Sequence, residues 1–320
     1  MVDIPYVCPY TNEKLTFDGE KYCSESGKEF FVKNNIPRFC SPENYAKSFG
    51  YQWNIFDRTQ LDSYSKSELS HIRFWATTNW NPNELIGKNV LEVGSGAGRF
   101  TEVFLKSTKE KLYSIDFSSA VDANLRNNAE NAKRLKLVQA SIYEMPFKDK
   151  TFDKIFCFGV LQHTPSFEKS VSSLVKKLKT NGEVVVDFYP SKGLITRIHS
   201  KYLLRPLTKR MPKKILLNLI SKTINLSLFL FDLMCFSKLG FLTRFLPITD
   251  VRGFPNKLTK SQRKRWAIMD TFDALSPEFD NPQKIEKVIE MFRKAGCKVD
   301  FGGIVKYKGG STAIVRAIKK

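Results

Sequence analysis

The chain has 320 residues, 42% of them hydrophobic, which suits a globular protein with one large domain and smaller additions. Its formal net charge of +20 at pH 7 favours contact with nucleic acid or anionic lipid but does not choose between them. The six cysteines have no C-x-x-C spacing and the first ten residues have no apolar run. A disulfide-rich secreted protein is therefore excluded, and we expect a cytoplasmic one.

The N-terminal stretches around Cys8 and Cys23 resemble the two knuckles of a small zinc ribbon. A structural zinc site needs four ligands, but the second position of each knuckle is Thr11 or Ser26. Cys40 is a further cysteine whose spacing does not support a ligand role. We therefore expect a degenerate ribbon held by hairpin packing, without a metal.

A glycine-spaced turn lies within Val90–Arg99, after a short apolar run that contains Glu92. This order is typical of a buried strand, a tight turn and a helix start, where free N–H groups attract an anionic ligand. The third glycine comes one residue earlier than in the dinucleotide fingerprint. A carboxylate at Glu92 would repel a pyrophosphate but attract an ammonium group. We therefore predict that the turn holds a zwitterionic amino-acid tail.

The turn and the segments after it resemble the class I S-adenosylmethionine-dependent methyltransferase family. Leu112–Asp116 predicts a second strand whose final carboxylate suits a ribose diol. Leu135–Gln139 predicts a third strand, and Ala140–Phe147 resembles the family's adenine-contacting loop, with Ser141 where the family usually has an acid. Phe152–Phe158 predicts a fourth strand, whose end lies beside the transferable methyl group in the family.

Helices and further strands complete the predicted core. We expect a helix from about Ala120 to Ala132 capped by Ser118, and another from Thr164–Pro165 to Lys179, stopped by Asn181–Gly182. The remaining elements are a fifth strand at Glu183–Phe188, a helix from Asn281–Pro282 to Ala295–Gly296, and strands at Lys298–Phe301 and Thr312–Ile318. The predicted fold is α/β: a Rossmann-like, doubly wound, seven-stranded sheet with an antiparallel C-terminal hairpin, a small N-terminal ribbon and a helical cap insertion.

The resemblance implies S-adenosylmethionine as cofactor and S-adenosylhomocysteine as product. The residues that it places at the cofactor are Glu92, Gly94, Ser95, Gly96, Gly98, Asp116, Phe117, Ser141, Ile142, Phe158 and Gly159. His163 is the predicted general base, because it follows the fourth strand and an imidazole titrates near neutrality. The alternative for His163 is a hydrogen bond to the backbone that only shapes the loop. No metal site is predicted.

The insertion after the fifth strand is basic, and no acid occurs between Phe188 and Phe231. Polar residues such as Lys222 and Asp232 interrupt its apolar runs, so we do not expect a membrane span. Three interpretations remain: a helical cap over the substrate pocket, a helix pair lying on an anionic membrane, and an ordinary core with a solvated basic face. The acids that follow are expected to face the acceptor or to cap turns; they are Asp270, Asp273 and Asp280.

The chain is therefore divided into four predicted segments: a degenerate ribbon (1–44), a helical lid (45–81), the cofactor-binding core (82–190 and 281–320) and a basic helical cap (191–280). The predicted function is methyl transfer to a small-molecule, glycan or lipid-linked acceptor, with O-methylation favoured. The alternatives are an RNA methyltransferase and a non-catalytic protein with the cofactor fold that acts as a binding partner. Against RNA, Gly159–Gln162 stands where an N-P-P-[YFW] signature would be. The expected location is the cytoplasm or the inner face of the membrane, and no oligomeric state is predicted.

Overall fold

The computed structural model describes residues 3–191, 193 and 198–320. Its strands are β1 (Thr16–Phe17), β2 (Lys21–Cys23), β3 (Glu29–Lys33), β4 (Ile36–Pro37), β5 (Val90–Val93), β6 (Leu112–Asp116), β7 (Leu135–Gln139), β8 (Phe152–Cys157), β9 (Leu178–Phe188), β10 (Cys297–Tyr307) and β11 (Gly310–Lys319). The last seven form one sheet in the order β10-β11-β9-β8-β5-β6-β7.

This sheet confirms the predicted fold. Strands β5 to β9 pair in parallel, whereas β11 pairs antiparallel with both β9 and β10. Strand β5 lies between β6 and β8, so the chain reverses its direction of travel across the sheet there. Ligands bind outside the carboxyl ends of the strands at such a switch point. The glycine turn follows β5 at this place.

The α-helices are α1 (Lys47–Ile55), α2 (Asp62–Ser65), α3 (Leu69–Thr78), α4 (Arg99–Ser107), α5 (Val121–Asn127), α6 (Phe167–Lys177), α7 (Ser200–Thr208), α8 (Lys213–Phe236), α9 (Lys260–Leu275) and α10 (Ile285–Lys294). Short 3-10 helices occur at Pro82–Leu85, Ala129–Asn131, Leu161–His163 and Gly240–Phe245. Helices α1 to α3 lie in the predicted lid and α7 to α9 in the predicted cap. The boundaries of the four segments stay predictions.

Four predicted helix starts or ends are wrong. Helix α6 is capped by Ser166, whose side chain accepts from the Lys169 N–H, because the Thr164 hydroxyl instead donates to Leu161 O and closes the preceding turn. Helix α5 begins after Ala120 and ends at Asn127, and the Ser118 hydroxyl accepts from the Ala120 N–H in the turn before it.

The third correction concerns Asn181 and Gly182, which do not end a helix. Helix α6 ends at Lys177, and both residues lie inside β9, where Asn181 has a φ of 61°. A Cβ on Gly182 would come within 2.9 Å of Lys179 O, so the backbone packs too closely there for a side chain. The helix near the C-terminus also begins later than predicted, at Ile285.

The four N-terminal strands form a separate antiparallel sheet that packs on the free edge of β7. The Phe39 N–H donates to Gln139 O at 2.7 Å, and Arg38 pairs with Asp122 at 2.7 Å. Buried side chains of this sheet, including Phe30, join the core on one face of the large sheet. Within the part of the chain that the structure describes, no group of three or more His, Cys, Asp or Glu could hold a metal ion.

The cap has its own hydrophobic core, to which α8 and α9 contribute most of the buried side chains. Helix α8 is long and apolar enough to cross a membrane by length and composition, contrary to our expectation from its polar interruptions. One of its faces is nevertheless packed inside the protein, through Leu216, Ile220 and Ile224 among others. Of the basic residues in the insertion, Lys192 and Arg197 lie outside the described residues.

Candidate cofactor and acceptor site

A cavity of about 950 Å³ lies at the carboxyl ends of β5, β6, β8 and β9. It reaches from the glycine turn, under helices α1 and α3, to the cap helix α9 and the turn between β10 and β11. Ligand sites usually have volumes of roughly 300–1,000 Å³. The cavity is therefore large enough for two ligands side by side.

The turn requires glycine because its backbone has positive φ values and because neighbouring side chains leave no room for a Cβ. Gly94, Gly96 and Gly98 have φ values of 81°, 52° and 89°, which residues with a side chain rarely adopt. A Cβ on Gly94 would lie 2.1 Å from a methyl group of Val160, and one on Gly98 would lie 2.3 Å from the Asn124 side chain. Gly94 and Gly96 line the cavity, whereas Gly98 lies behind the turn as the N-cap of α4.

The N–H groups of the turn are less available than the sequence suggested. Those of Gly94 and Ser95 both donate to Ile115 O, and that of Gly98 donates to Ser95 O. The Gly96 N–H donates to Oδ2 of Asp116 at 2.8 Å. Our expectation that these amides meet a ligand carboxylate stays a prediction, and all four already have an acceptor within the protein.

Two side chains at the turn fit a ligand with hydroxyl groups. Asp116 lines the cavity, with Oδ1 accepting from the Ser118 N–H at 2.8 Å and from the Ser118 hydroxyl at 2.6 Å. Burial raises the pKa of Asp116, while these bonds and the one from Gly96 lower it. The Ser95 hydroxyl also lines the cavity, is buried, and has no hydrogen-bond partner within the described residues. Such an unpaired polar atom is costly unless a ligand satisfies it.

Glu92 does not line the cavity, and its expected contact with the ligand's ammonium group, directly or through water, stays a prediction. Its Oε2 accepts hydrogen bonds from the hydroxyls of Thr101 at 2.5 Å and Ser114 at 2.9 Å. Burial raises the pKa of Glu92 to about 7. The carboxyl group thus joins β5 to β6 and α4 behind the turn.

Ser141 also lies outside the cavity lining, and its hydroxyl accepts from the Tyr143 N–H at 3.1 Å. The predicted contact between this hydroxyl and an adenine stays a prediction, and the hydroxyl already forms a hydrogen bond within its own turn. The neighbouring Ile142 does line the cavity, as do Phe117, Phe158 and Gly159. These residues give that end of the cavity an apolar wall.

A pair of arginines near the glycine turn was missed in the sequence. Arg73 of α3 and Arg99 of α4 both line the cavity. Arg73 forms an ion pair with the buried Asp187, whose Oδ1 accepts from the Gly159 N–H at 2.5 Å. Arg99 donates to the Ser70 hydroxyl at 2.8 Å and to the Gln60 side chain at 3.2 Å.

Arg99 has no ion-pair partner within the described residues. Burial and the charge of Arg73 together lower the pKa of Arg99 to about 10, so Arg99 stays cationic at neutral pH. A half-buried cation without an ion-pair partner is suited to bind a carboxylate.

His163 lies in the cavity wall after β8, as predicted. Its Nδ1 is 3.1 Å from Phe279 O, and because a carbonyl only accepts, Nδ1 must carry the proton. Nε2 of the neutral ring then has a free lone pair. Burial lowers the pKa of His163 below its usual 6.5, which keeps the ring neutral at pH 7. Phe49 packs against the ring at 5.0 Å between centroids.

The far end of the cavity is polar and formed mainly by the cap. Asp270 and Asp273 of α9 line it, together with Tyr189 and Lys201. Burial and the neighbouring Asp273 raise the pKa of Asp270 to about 7. Asp280 lies elsewhere, paired with Lys201 at 2.5 Å, so only two of the three expected acids face this cavity.

Comparisons with known proteins agree with this geometry. Residues 91–186 match a family model described as a methyltransferase domain. Phosphoethanolamine N-methyltransferase 2 of Caenorhabditis elegans is 28% identical, with 32% of this chain and 24% of that protein covered. The tRNA U34 carboxymethyltransferase of Nautilia profundicola is 31% identical, with 32% and 35% covered. The ubiquinone/menaquinone biosynthesis C-methyltransferase UbiE of Rickettsia prowazekii is 27% identical, with 44% and 66% covered.

The chain thus spans between a quarter and two thirds of the length of these relatives. The solved magnesium protoporphyrin IX methyltransferase of Synechocystis PCC 6803 aligns with a TM-score of 0.46 at 13% identity, over 86% of this chain and 97% of that one.

The sheet order, the glycine turn and the matched domain together define the class. The chain carries a class I S-adenosylmethionine-dependent methyltransferase domain, and its cofactor is S-adenosylmethionine.

Proposed function

We propose that the protein transfers a methyl group from S-adenosylmethionine to an oxygen of a small-molecule, glycan or lipid-linked acceptor. One observation carries this proposal. A single cavity has Asp116 and Ser95 at one end and Asp270 and Asp273 of the cap at the other, and His163 lies in its wall. Cofactor and acceptor would therefore meet beside His163, whose free nitrogen is set by its contact with the backbone.

Each residue of the site has its own role in the proposed methyl transfer. Bound S-adenosylmethionine supplies a methyl carbon activated by a positively charged sulfur. Asp116 accepts hydrogen bonds from a ribose diol, and Arg99 binds the carboxylate of the amino-acid tail. His163 Nε2 removes the proton of the acceptor hydroxyl as the oxygen attacks. The lid and the cap hold the two reactants in line and exclude water.

The cavity is covered by the lid and the cap, and this favours a small acceptor over RNA. Helices α1 and α3, the β10–β11 turn and the cap all contribute to its wall, which suits a molecule that fits inside. Binding of RNA across a salt series separates the two classes. RNA contact through phosphates would fall steeply with salt, whereas we expect weak binding at every salt concentration.

Calorimetry with S-adenosylmethionine tests the cofactor end. Asp116→Ala should weaken binding by about 1–3 kcal/mol, because hydrogen bonds to a charged group are lost. The control is Asp149→Ala, which removes an exposed carboxylate that pairs with Lys177. Equal affinity of the Asp116 variant and the control would contradict the assigned ribose contact.

The acceptor is found with S-adenosylmethionine labelled in its methyl group. Polar metabolites, glycans, lipids and RNA from a lysate are offered as separate fractions to the purified protein. We expect label in an alkali-stable ether of the metabolite, glycan or lipid fraction. Label confined to RNA, or no label despite cofactor binding, would refute the proposed acceptor class.

A further inference from the structure

Helix α8 of the cap has apolar residues on two opposite faces. One face supplies Leu216, Ile220, Ile224, Leu228 and Phe231 to the core of the cap. The other face is exposed and contains Ile215, Leu219, Leu226, Phe229, Leu233 and Phe236, which we call the apolar stripe. Neighbouring members are three or four residues apart, except Leu219 and Leu226, which are seven apart with Lys222 between them, so all lie along one side of the helix.

Other elements of the cap also have exposed apolar side chains. Leu203 and Leu207 of α7 are exposed, as are Phe241 and Phe245 of the short helix after α8. Phe236 is 88% exposed and Phe229 63% exposed. Exposed apolar patches of this extent mark a surface that contacts a partner or a membrane.

The charge around the stripe identifies the partner. Between residues 198 and 249 the chain has nine Lys or Arg and a single acid, Asp232, which pairs with Arg263. No ion-pair partner exists among the described residues for the exposed Lys209, Arg210, Lys214, Lys222 and Lys238. Apolar side chains flanked by unpaired cations are suited to an anionic lipid surface, which solvates both.

A second copy of the chain suits this surface less well. Lys222 lies in the middle of the stripe, so a two-fold pairing centred there would bring two lysines of like charge together. A spanning orientation is also disfavoured, because the opposite face of α8 is part of the cap core.

The position of the stripe connects it to the site. A shallow pocket contains Phe241 of this surface together with His199, Arg244 and Asp250. The last three residues also line the main cavity, at its cap end. A molecule held at the surface of a bilayer would thus have a short route into the acceptor end of the cavity.

We propose that the apolar stripe and its flanking lysines dock the protein on an anionic membrane and that the acceptor enters the cavity from the bilayer surface. The second part rests on the proposed methyl transfer, and the first does not. Docking is therefore measured without catalysis, by flotation of the full chain with vesicles of phosphatidylcholine alone or with about one third phosphatidylglycerol. We expect flotation with the anionic vesicles, weakened as sodium chloride rises from about 0.05 to 0.5 M.

Two double variants test which side chains contact the membrane. Phe229→Ser with Phe236→Ser should weaken vesicle binding at least about tenfold, since two apolar side chains lose their burial. The matched control is Phe31→Ser, which changes a 61% exposed phenylalanine of the N-terminal sheet. Lys214→Glu with Lys222→Glu should weaken binding to anionic vesicles by a similar factor. Lys28→Glu with Lys33→Glu makes the same change in net charge on the N-terminal sheet and should have less effect.

The affinity for S-adenosylmethionine is measured for every variant. An unchanged affinity shows that the variant is folded and that a loss of vesicle binding is not caused by a loss of cofactor binding. Several outcomes would overturn docking: no flotation, equal loss in variants and controls, or a dimer that the phenylalanine variants dissociate. Protein that resists extraction by alkaline carbonate would instead indicate a membrane-spanning α8. Normal docking with label in a water-soluble acceptor would overturn only the entry from the bilayer.

Discussion

The tautomer of His163 is set by a single backbone atom, Phe279 O, and this makes its role testable. In His163→Asn the side-chain amide is still able to donate to that carbonyl, but it is not a base. We expect kcat for an oxygen acceptor to fall by about 10²–10⁴-fold, with little change in cofactor affinity. The control is His71→Asn, because His71 is exposed and lies outside the cavity lining.

The pH profile gives a second readout for His163. Burial lowers its pKa, so the neutral form persists below pH 6.5, and kcat should rise with pH through that lowered pKa and then level off. This acidic limb should be absent in His163→Asn. An unchanged kcat and profile in the variant would leave His163 only the loop-shaping role that the sequence also allowed.

Arg99 should determine cofactor affinity more than the turn amides do. Arg99→Gln removes the cation but retains polar contacts, and we expect S-adenosylmethionine to bind about tenfold to a hundredfold more weakly, because a charge-assisted pair is lost. A cofactor analogue without the carboxylate should bind wild type and variant equally. If the variant weakens both compounds by the same factor, Arg99 positions the lid and does not bind the carboxylate. Arg58→Gln, at an exposed position outside the lining, is the control.

Single residues also show what the sequence was able to predict. Asp116, Phe117, Ile142, Phe158, Gly159 and His163 line the cavity as expected. Glu92 and Ser141 do not, because hydroxyl and amide groups nearby on the folded chain engage them first. Arg73 and Asp187 are 114 residues apart, and no local pattern reveals such a pair.

At the scale of elements, the strands of the core were easier to predict than the helix ends. Buried parallel strands appear as short apolar runs, and all five were located. The start of α6 depends on competing local hydrogen bonds, such as the one from Thr164 to Leu161 O, which composition does not reveal. The packing of α8 on α9 depends on contacts made only after folding.

Helix α1 contributes a residue that should report cofactor binding. Trp53 lines the cavity, and a Cβ on Gly96 would lie 3.3 Å from its indole nitrogen. We therefore expect tryptophan emission to be quenched when S-adenosylmethionine binds against the turn. Trp53→Phe should remove most of the quenching, whereas Trp80→Phe should retain it, because Trp80 lies outside the lining and donates to Glu183. Full quenching in Trp53→Phe would show that α1 does not contact the cofactor.

At the scale of the whole molecule, the N-terminal sheet covers an edge that would otherwise be exposed. Strand β7 ends the large sheet, and β4 reaches it through the bridge between Arg38 and Gln139. Exposed sheet edges favour unwanted pairing with other chains. Covering the edge is therefore a structural role for the N-terminal sheet, which we predicted to be a degenerate ribbon.

This arrangement predicts that the ribbon and the core unfold together. Phe39 is fully buried and packs against Tyr6, Tyr22 and Phe30, so Phe39→Ala should lower the free energy of unfolding by about 3–5 kcal/mol. All four tryptophans lie between residues 53 and 266, outside the ribbon, so their emission reports the rest of the molecule. The tryptophan transition should shift in Phe39→Ala and stay in place in Phe31→Ala, since Phe31 is exposed on the same small sheet. An unshifted tryptophan transition in both variants would mean that the ribbon unfolds independently and that its packing on β7 does not stabilise the core.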